Sequence, residues 1–291
     1  LKGFVAAFVE VVRDDQKQIT DYDLTPLRIG QRQETSFDEM FEISDPRHQV
    51  LSVYTQGLLM LRRVVNDLRM GRSPEYPKVK RLCMQLIDLE ARFHNLLLAL
   101  VHVEGYKGNL FSHMLNTAVM SIAFARRLGL PRQQLLEIGM GAFYHDLGWA
   151  LMGALDQEKA DADVALTMSG INYIRNDSGS DMEAIRIKVA RTLVRLGGLN
   201  ELLISRLIVA YECQVPENEP SEGIYYGDIG ANYMTDLVRM ASTYDELTTL
   251  RPEIDALRPD VAMKRILDDG GSTYDEFLAK LFVQFIGAYP I

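Results

Sequence analysis

The sequence contains only two cysteines, Cys83 and Cys213, among its 291 residues. Two thiols cannot build a disulfide framework, and their scarcity is typical of a reducing compartment such as the cytoplasm. Basic residues are also in the minority, since 31 Lys and Arg stand against 40 Asp and Glu and the formal net charge is -9. A nucleic-acid groove needs clustered cationic side chains, so no nucleic-acid polymer is expected as a partner.

Long apolar runs are missing as well. Runs such as LLLALV at residues 96–101 fall far short of the roughly 20 apolar residues that a bilayer-spanning helix needs. No membrane insertion is therefore predicted. No signal peptide is recognisable, and together with the cysteine usage this predicts a cytoplasmic protein.

Apolar residues recur at helical spacing along most of the chain, which predicts an all-α fold. Ser44-Asp45-Pro46 is typical of a helix start and Gly71 of a helix end, so the first long helix is predicted to run from 46 to 70. A second helix is predicted from Pro77 to Val103. The apolar residues of the first helix are spaced for one broad face: Val50, Leu51, Val53, Leu58, Leu59, Leu61, Val64, Val65 and Leu68.

The string HMLNTAVMSIAFARRLGLP predicts a helix with one apolar face (Leu115, Ala118, Val119 and Ile122), and the next helix is predicted to close at Gly148. The short break at Gly129-Leu130-Pro131 makes the two helices antiparallel neighbours. His113 is then expected beside His145 and Asp146, and the three side chains can ligate a divalent cation. On periodicity alone, an ordinary capping or surface histidine and a helix-end carboxylate explain the pattern equally well.

A resemblance adds to this pattern. In order along the chain stand SHMLNTAVMSIAFARRLGL, GAFYHDLG, LVRLGGL, IVAYE, MASTYDELTTLRP and FVQFIGAYP. These strings resemble the HD superfamily of metal-dependent phosphohydrolases, and in particular its HD-GYP branch, which hydrolyses cyclic di-GMP. The resemblance implies an HD-type helical bundle over residues 105–291, preceded by a mostly helical scaffold segment at 1–104. It implies metal ligands at His113, His145 and Asp146.

Several other positions depart from the family's pattern. The family's lysine that follows the HD pair aligns with Trp149. The family's next histidine aligns with Ile185 or, if the alignment gap is placed differently, near Leu166. The adjacent histidine pair falls on Cys213-Gln214. The aspartate of the ADxxDALT string falls on Ser242, although Asp245 matches the later acidic position, and PENEPSEGIYYGD replaces the GYP loop. A paired-cation centre needs more ligands than these, so the domain is predicted to be degenerate, with Cys213 as the one residual donor for a second metal.

The functional prediction follows from that loss of ligands. The sequence predicts a catalytically inactive HD-GYP-like signalling or protein-interaction module with vestigial His145 and Asp146. No cofactor, or at most one divalent Fe, Mn or Zn ion, is expected, and the expected partner is another protein, a second copy of the chain, or cyclic di-GMP. The alternatives left open are a non-hydrolysing nucleotide receptor and an active single-metal phosphohydrolase.

Side chains outside the metal set are weighed against plain packing. Arg251 is the candidate ligand-binding residue, because it matches the RP of the family and guanidinium groups bind phosphate in a bidentate manner. Arg206 and Arg239 are predicted to be solvated or ion-paired at the surface. Tyr244 is predicted to pack in the core rather than to stack on a base.

Overall fold

The fold is seen in a computed structural model of the chain. It describes residues 45–72, 74–101, 110–152, 191–192, 194, 204–213, 232–250 and 255–287, without the side chains of residues 149, 204 and 205. The regular elements in these ranges are α1 (Pro46–Arg69), α2 (Tyr76–Val101), α3 (Leu110–Arg127), α4 (Arg132–Tyr144), α5 (Leu147–Met152), α6 (Ile204–Glu212), α7 (Tyr233–Thr248), α8 (Pro259–Asp268) and α9 (Glu276–Gly287). Apart from one isolated bridge, the described residues form no β-structure. The predicted all-α fold class is confirmed.

Helix α1 begins and ends where its sequence signals predict. The Asp45 side chain accepts a hydrogen bond from the Arg47 backbone N–H at 3.0 Å, and Pro46 occupies the first turn. Gly71 follows the helix with a φ of 69°, a conformation that costs glycine little. The predicted apolar face is wrong at one position, because Leu59 is 59% exposed and points away from the core.

Helix α2 is interrupted, which its sequence does not signal. Phe93 has non-helical angles (φ -133°, ψ 37°), although neither proline nor glycine lies nearby. The break lies beside the buried Glu90. The Glu90 carboxylate lies 2.6 Å from Nδ1 of His94 and also accepts a hydrogen bond from Arg126 of α3. This charged cluster joins α2 to α3.

Helix α3 lies at the centre of the bundle. It packs against α1, α2, α4, α7 and α9, and every residue from His113 to Ala125 is buried. The four residues predicted to form its apolar face are fully buried, and so is the rest of its circumference. A helix surrounded by others buries its whole circumference, and small side chains such as Ala118 and Ala123 allow the neighbours to approach.

The connection between α3 and α4 brings the two helices together. Gly129 has a φ of 79°, and the Leu130 backbone N–H reaches back to the Ala125 carbonyl at 3.1 Å, closing the helix end as a left-handed cap. Helix α4 then packs tightly on its neighbours at two glycines. A Cβ atom at Gly139 would lie 2.8 Å from Ile122 of α3, and one at Gly141 would lie 2.8 Å from Val209 of α6.

Helices α1 and α2 share one hydrophobic core with the helices that follow. At the closest approach of α1 to α3, a Cβ atom at Gly57 would lie 2.8 Å from the Leu115 side chain. The predicted boundary at 104/105, and the predicted end of α2 at Val103, lie outside the described residues. None of the helices in the described ranges combines the length and hydropathy of a bilayer-spanning segment.

Candidate metal site

Three of the predicted ligands lie together in the interior. Nε2 of His113 is 3.3 Å from Nε2 of His145 and 3.6 Å from Oδ2 of Asp146. Nε2 of His145 is 3.7 Å from the same carboxylate oxygen. All three side chains are 2% exposed. The predicted convergence of the start of α3 with the end of α4 is thus present, and His113 is not a surface or capping histidine.

His145 and Asp146 form a turn between α4 and α5, and the predicted continuation of one helix to Gly148 is wrong. The His145 backbone N–H reaches the Ala142 carbonyl, three residues back, instead of the carbonyl four residues back. The His145 ring also donates from Nδ1 to that carbonyl at 2.6 Å. Both side chains of this turn lie beside His113.

Asp245 of α7 fixes the orientation and tautomer of His113. Its Oδ2 lies 2.7 Å from Nδ1 of His113, and a carboxylate can only accept, so Nδ1 carries a proton. The same reasoning puts a proton on Nδ1 of His145, because its partner is a backbone carbonyl. Both Nε2 atoms therefore present lone pairs to each other. A carboxylate behind a ligating histidine is the usual arrangement around protein-bound metals.

Ser242 lies between the two imidazoles. Its Oγ is 3.1 Å from Nε2 of His113 and 3.3 Å from Nε2 of His145. A hydroxyl has one proton to donate, so it satisfies one lone pair and leaves the other facing its neighbour. One cation, either a proton or a metal ion, fits between these nitrogens.

The spacing of the donors fits a metal ion. A tetrahedral ion with bonds of about 2.0–2.1 Å separates its ligand atoms by about 3.3–3.4 Å. The three separations in the cluster run from 3.3 to 3.7 Å. Two nitrogens and one carboxylate oxygen suit Zn, Fe or Mn.

Charge and burial act differently on the two histidines. Burial alone would lower the pKa of His113, but the hydrogen bond and charge of Asp245, together with Asp146 and Glu246, outweigh it and raise that pKa. The pKa of His145 is lowered, chiefly by burial and also by the charge of His113, despite the attraction of Asp146. His145 is the more readily neutral of the two and the better-prepared ligand.

Three residues that the sequence analysis overlooked also contribute to the site. Asn116 donates from Nδ2 to Oδ1 of Asp245 at 2.9 Å, and Tyr54 of α1 donates to Oδ1 of Asn116 at 2.6 Å. Burial raises the pKa of Tyr54, which keeps its hydroxyl a donor. Glu246 brings Oε1 to 3.7 Å from Nε2 of His113. A signal existed for Glu246, since it follows Ser242 by one helical turn, and none existed for Tyr54.

Other predicted positions are not brought to the cluster. Among the described residues, the three-ligand group within 4.8 Å consists of His113, His145 and Asp146, without Cys213. Burial raises the pKa of the Cys213 thiol. Gln214, Leu166, Ile185 and Arg251 lie outside the described residues, as does the side chain of Trp149.

Two further predictions have opposite outcomes. Tyr244 is 1% exposed and packs edge-on against Phe282, so its predicted role in the core is confirmed. The prediction of Arg206 as a surface residue is wrong, because it is 8% exposed. It donates to the Tyr76 hydroxyl and stacks over that ring, which compensates for the burial of its charge.

A solved structure resembles the chain over most of its length. It is described as "Bd1817, a HDG"Y"P protein from Bdellovibrio bacteriovorus", and the match covers 84% of this chain and 73% of that one, with 14% identity and a TM-score of 0.59. The chain has the HD-GYP-type fold. No protein-family model and no curated protein matches the sequence. At such low identity the likeness concerns the fold alone, so the activity has to be argued from the residues of the site itself.

Proposed function

We propose that this chain is a signalling module of the HD-GYP type that holds one divalent cation and does not hydrolyse cyclic di-GMP. The observation that carries the proposal is the buried cluster of His113, His145 and Asp146, with its two facing Nε2 atoms 3.3 Å apart. These donors suffice for one cation. When bound, such an ion can polarise a phosphoryl oxygen or acidify a water molecule.

The surroundings of the cluster support one cation rather than two. Paired-metal hydrolases hold their ions about 3.5–4 Å apart and need a ligand set for each. Ser242 offers a neutral hydroxyl where the HD-GYP pattern has an aspartate, and Cys213 lies outside the cluster. Of the three carboxylates beside His113, Asp146 belongs to the cluster and Asp245 is engaged by Nδ1 of His113 and by Asn116, which leaves Glu246 among the described residues for a second ion.

The partner proposed for this module is another protein or a second copy of the chain, with cyclic di-GMP as a candidate ligand. The net charge of -9 opposes the approach of an anionic nucleotide. A protein partner has no such obstacle and is therefore proposed first.

A single-metal phosphohydrolase is the second candidate function. The observation in its favour is the hydrogen bond between Asp245 and His113, which orients one imidazole as in working metal sites. It requires an open coordination position for water or substrate.

Metal analysis joined to a phosphodiesterase assay separates these candidates. The purified protein is loaded with Mn, Fe or Zn and compared with His145→Ala and with His48→Ala, a matched control on the exposed start of α1. The proposal expects one equivalent of metal per chain, lost only in His145→Ala, and no hydrolysis of cyclic di-GMP above buffer containing the metal. One equivalent with hydrolysis would favour the second candidate.

Two results would overturn the one-cation module. The first is two equivalents of metal with hydrolysis. The second is the absence of stoichiometric metal from wild type under all three loadings, which would also remove the single-metal enzyme. Calorimetric titration with cyclic di-GMP then tests the nucleotide as a ligand, and absence of heat at high micromolar concentration removes it.

A further inference from the structure

Glu246 stands one helical turn beyond Ser242 on α7. Residues four apart on a helix lie on the same face, so Ser242 and Glu246 face the same histidine. Oγ of Ser242 is 3.1 Å from Nε2 of His113, and Oε1 of Glu246 is 3.7 Å from that same nitrogen. The face of α7 that lacks a carboxylate at one turn carries one at the next.

We propose that Glu246 is the fourth ligand of the cation and supplies, from the next turn, the carboxylate that Ser242 does not offer. The inference rests on the proposed one-cation site and concerns its coordination. Nε2 of His113 then has three donor atoms around it at 3.3, 3.6 and 3.7 Å, belonging to His145, Asp146 and Glu246. Each is close to the edge of a tetrahedron around a metal ion, but Glu246 lies outside the group of donor atoms that are all within 4.8 Å of one another, so its side chain has to rotate towards His145 and Asp146 to complete the set.

The charge of this set matches a divalent ion. Two neutral imidazoles and two carboxylates carry two negative charges, which neutralise the cation inside a poorly solvated cavity. Asp245, which bonds to Nδ1 of His113, is a further buried carboxylate behind this set. Glu246 is thus proposed to supply the second negative charge in direct contact with the ion.

Exposure shows how the site can close. His113 and Asp146 are 2% exposed, whereas the Glu246 side chain is 26% exposed. Glu246 is therefore the most exposed of the four proposed ligands, and its side chain is longer than that of an aspartate. It can swing towards the ion after the three buried donors have taken it up.

A fourth protein ligand has a consequence for function. Zinc sites with four protein ligands are closed and structural, whereas catalytic sites keep a position for water. Closure by Glu246 supports the non-hydrolysing module over the single-metal enzyme. The cation would then stabilise the junction of α3, α4 and α7.

Calorimetric titration with zinc or manganese chloride tests the assignment. Glu246→Gln keeps the size of the side chain and removes its charge, and Glu137→Gln on α4 is the matched control, a half-buried helical glutamate away from the cluster. Changes in groups behind metal ligands cost about 10–100-fold in affinity, so loss of a direct ligand is expected to weaken binding by at least about 10-fold. Ser242→Asp in the Glu246→Gln background is expected to restore most of that loss.

Water relaxation on bound manganese distinguishes ligation from a general charge effect. Glu246→Ala opens a coordination position, so the relaxation enhancement by the bound ion is expected to rise as another water enters. Thermal unfolding of the metal-free variants checks that each remains folded. Wild-type affinity in Glu246→Gln, or unchanged relaxation in Glu246→Ala, would overturn the role of Glu246 while leaving the one-cation site intact. Failure of wild type to bind either metal would overturn both.

Discussion

Replacing Asp245 by asparagine is predicted to weaken metal binding by moving one proton. In the wild type, Oδ2 of Asp245 accepts from Nδ1 of His113 and Oδ1 accepts from Asn116. Tyr54 donates to Oδ1 of Asn116, so the amide nitrogen of Asn116 has to face residue 245. An asparagine at 245 must therefore turn its own carbonyl oxygen to Asn116 and its NH₂ group to His113.

The consequence is the wrong tautomer of His113. An NH₂ group donates, so Nδ1 of His113 must become the acceptor and the ring proton must move to Nε2. That Nε2–H points at Nε2 of His145, 3.3 Å away, and can bond to it. In the metal-free variant this hydrogen bond satisfies both nitrogens. A cation, however, cannot bind to Nε2 of His113 while that nitrogen carries a proton.

The expected loss is about 10–100-fold in metal affinity, the range for partners behind metal ligands, or about 1.4–2.7 kcal/mol. The assay is calorimetric titration of the metal-free protein with zinc or manganese. Asp236→Asn on the same helix is the matched control, because Oδ2 of Asp236 accepts from the Asp275 backbone N–H, which an asparagine oxygen can also do. Affinity within twofold of wild type in Asp245→Asn would refute the tautomer argument.

Three further substitutions test other parts of the structure. Tyr54→Phe removes the hydroxyl that orients Asn116 and is expected to weaken metal binding several-fold in calorimetric titration. The control Tyr76→Phe loses its bond to Arg206 and is expected to leave the metal affinity unchanged. Equal affinities in the two variants would contradict a link from Tyr54 through Asn116 to the metal site. Gly141→Ala places a methyl group 2.8 Å from Val209 and is expected to lower the free energy of unfolding by about 1–3 kcal/mol. Urea denaturation measures this loss, with Gly287→Ala as the control because the nearest atom there is 4.0 Å away. Equal denaturation midpoints would show that the two helices can move apart without loss of stability. Glu90→Gln removes the buried charge that binds Arg126 and is expected to lower the free energy of unfolding by about 1.5–3 kcal/mol. An unchanged midpoint in the same urea denaturation would show that the ion pair does not stabilise the fold.

The proximity of His113 to His145 and Asp146 was predictable because it depends on local features. Gly129 and Pro131 set a short connection between helices of known rise, and two helices so joined bring the start of one to the end of the other. The cap at Asp45 was equally local. Such signals need only a few consecutive residues to be read.

The remainder of the site depends on packing between distant segments. Asp245 and Tyr54 lie 132 and 59 positions from His113, and no periodicity states which helix face will meet it. The turn at His145 depends on its ring bonding the Ala142 carbonyl, and the burial of Arg206 depends on Tyr76 lying opposite. The resemblance pointed to Ser242 as a lost ligand, and the helical spacing from Ser242 to Glu246 was available in the sequence, but the distance of Glu246 from His113 comes from the fold.

The link from Tyr54 through Asn116 to Asp245 has a practical consequence for shortened forms of the chain. Deleting residues 1–104 would remove α1 from its packing contact with α3 and expose the Leu115 side chain, which Gly57 now covers. It would also deprive Asn116 of the hydroxyl that holds its amide. A truncated protein that still brings His113, His145 and Asp146 together would lack the hydrogen bond from Tyr54 that orients Asn116 behind Asp245. Metal binding is therefore best measured on the longer polypeptide.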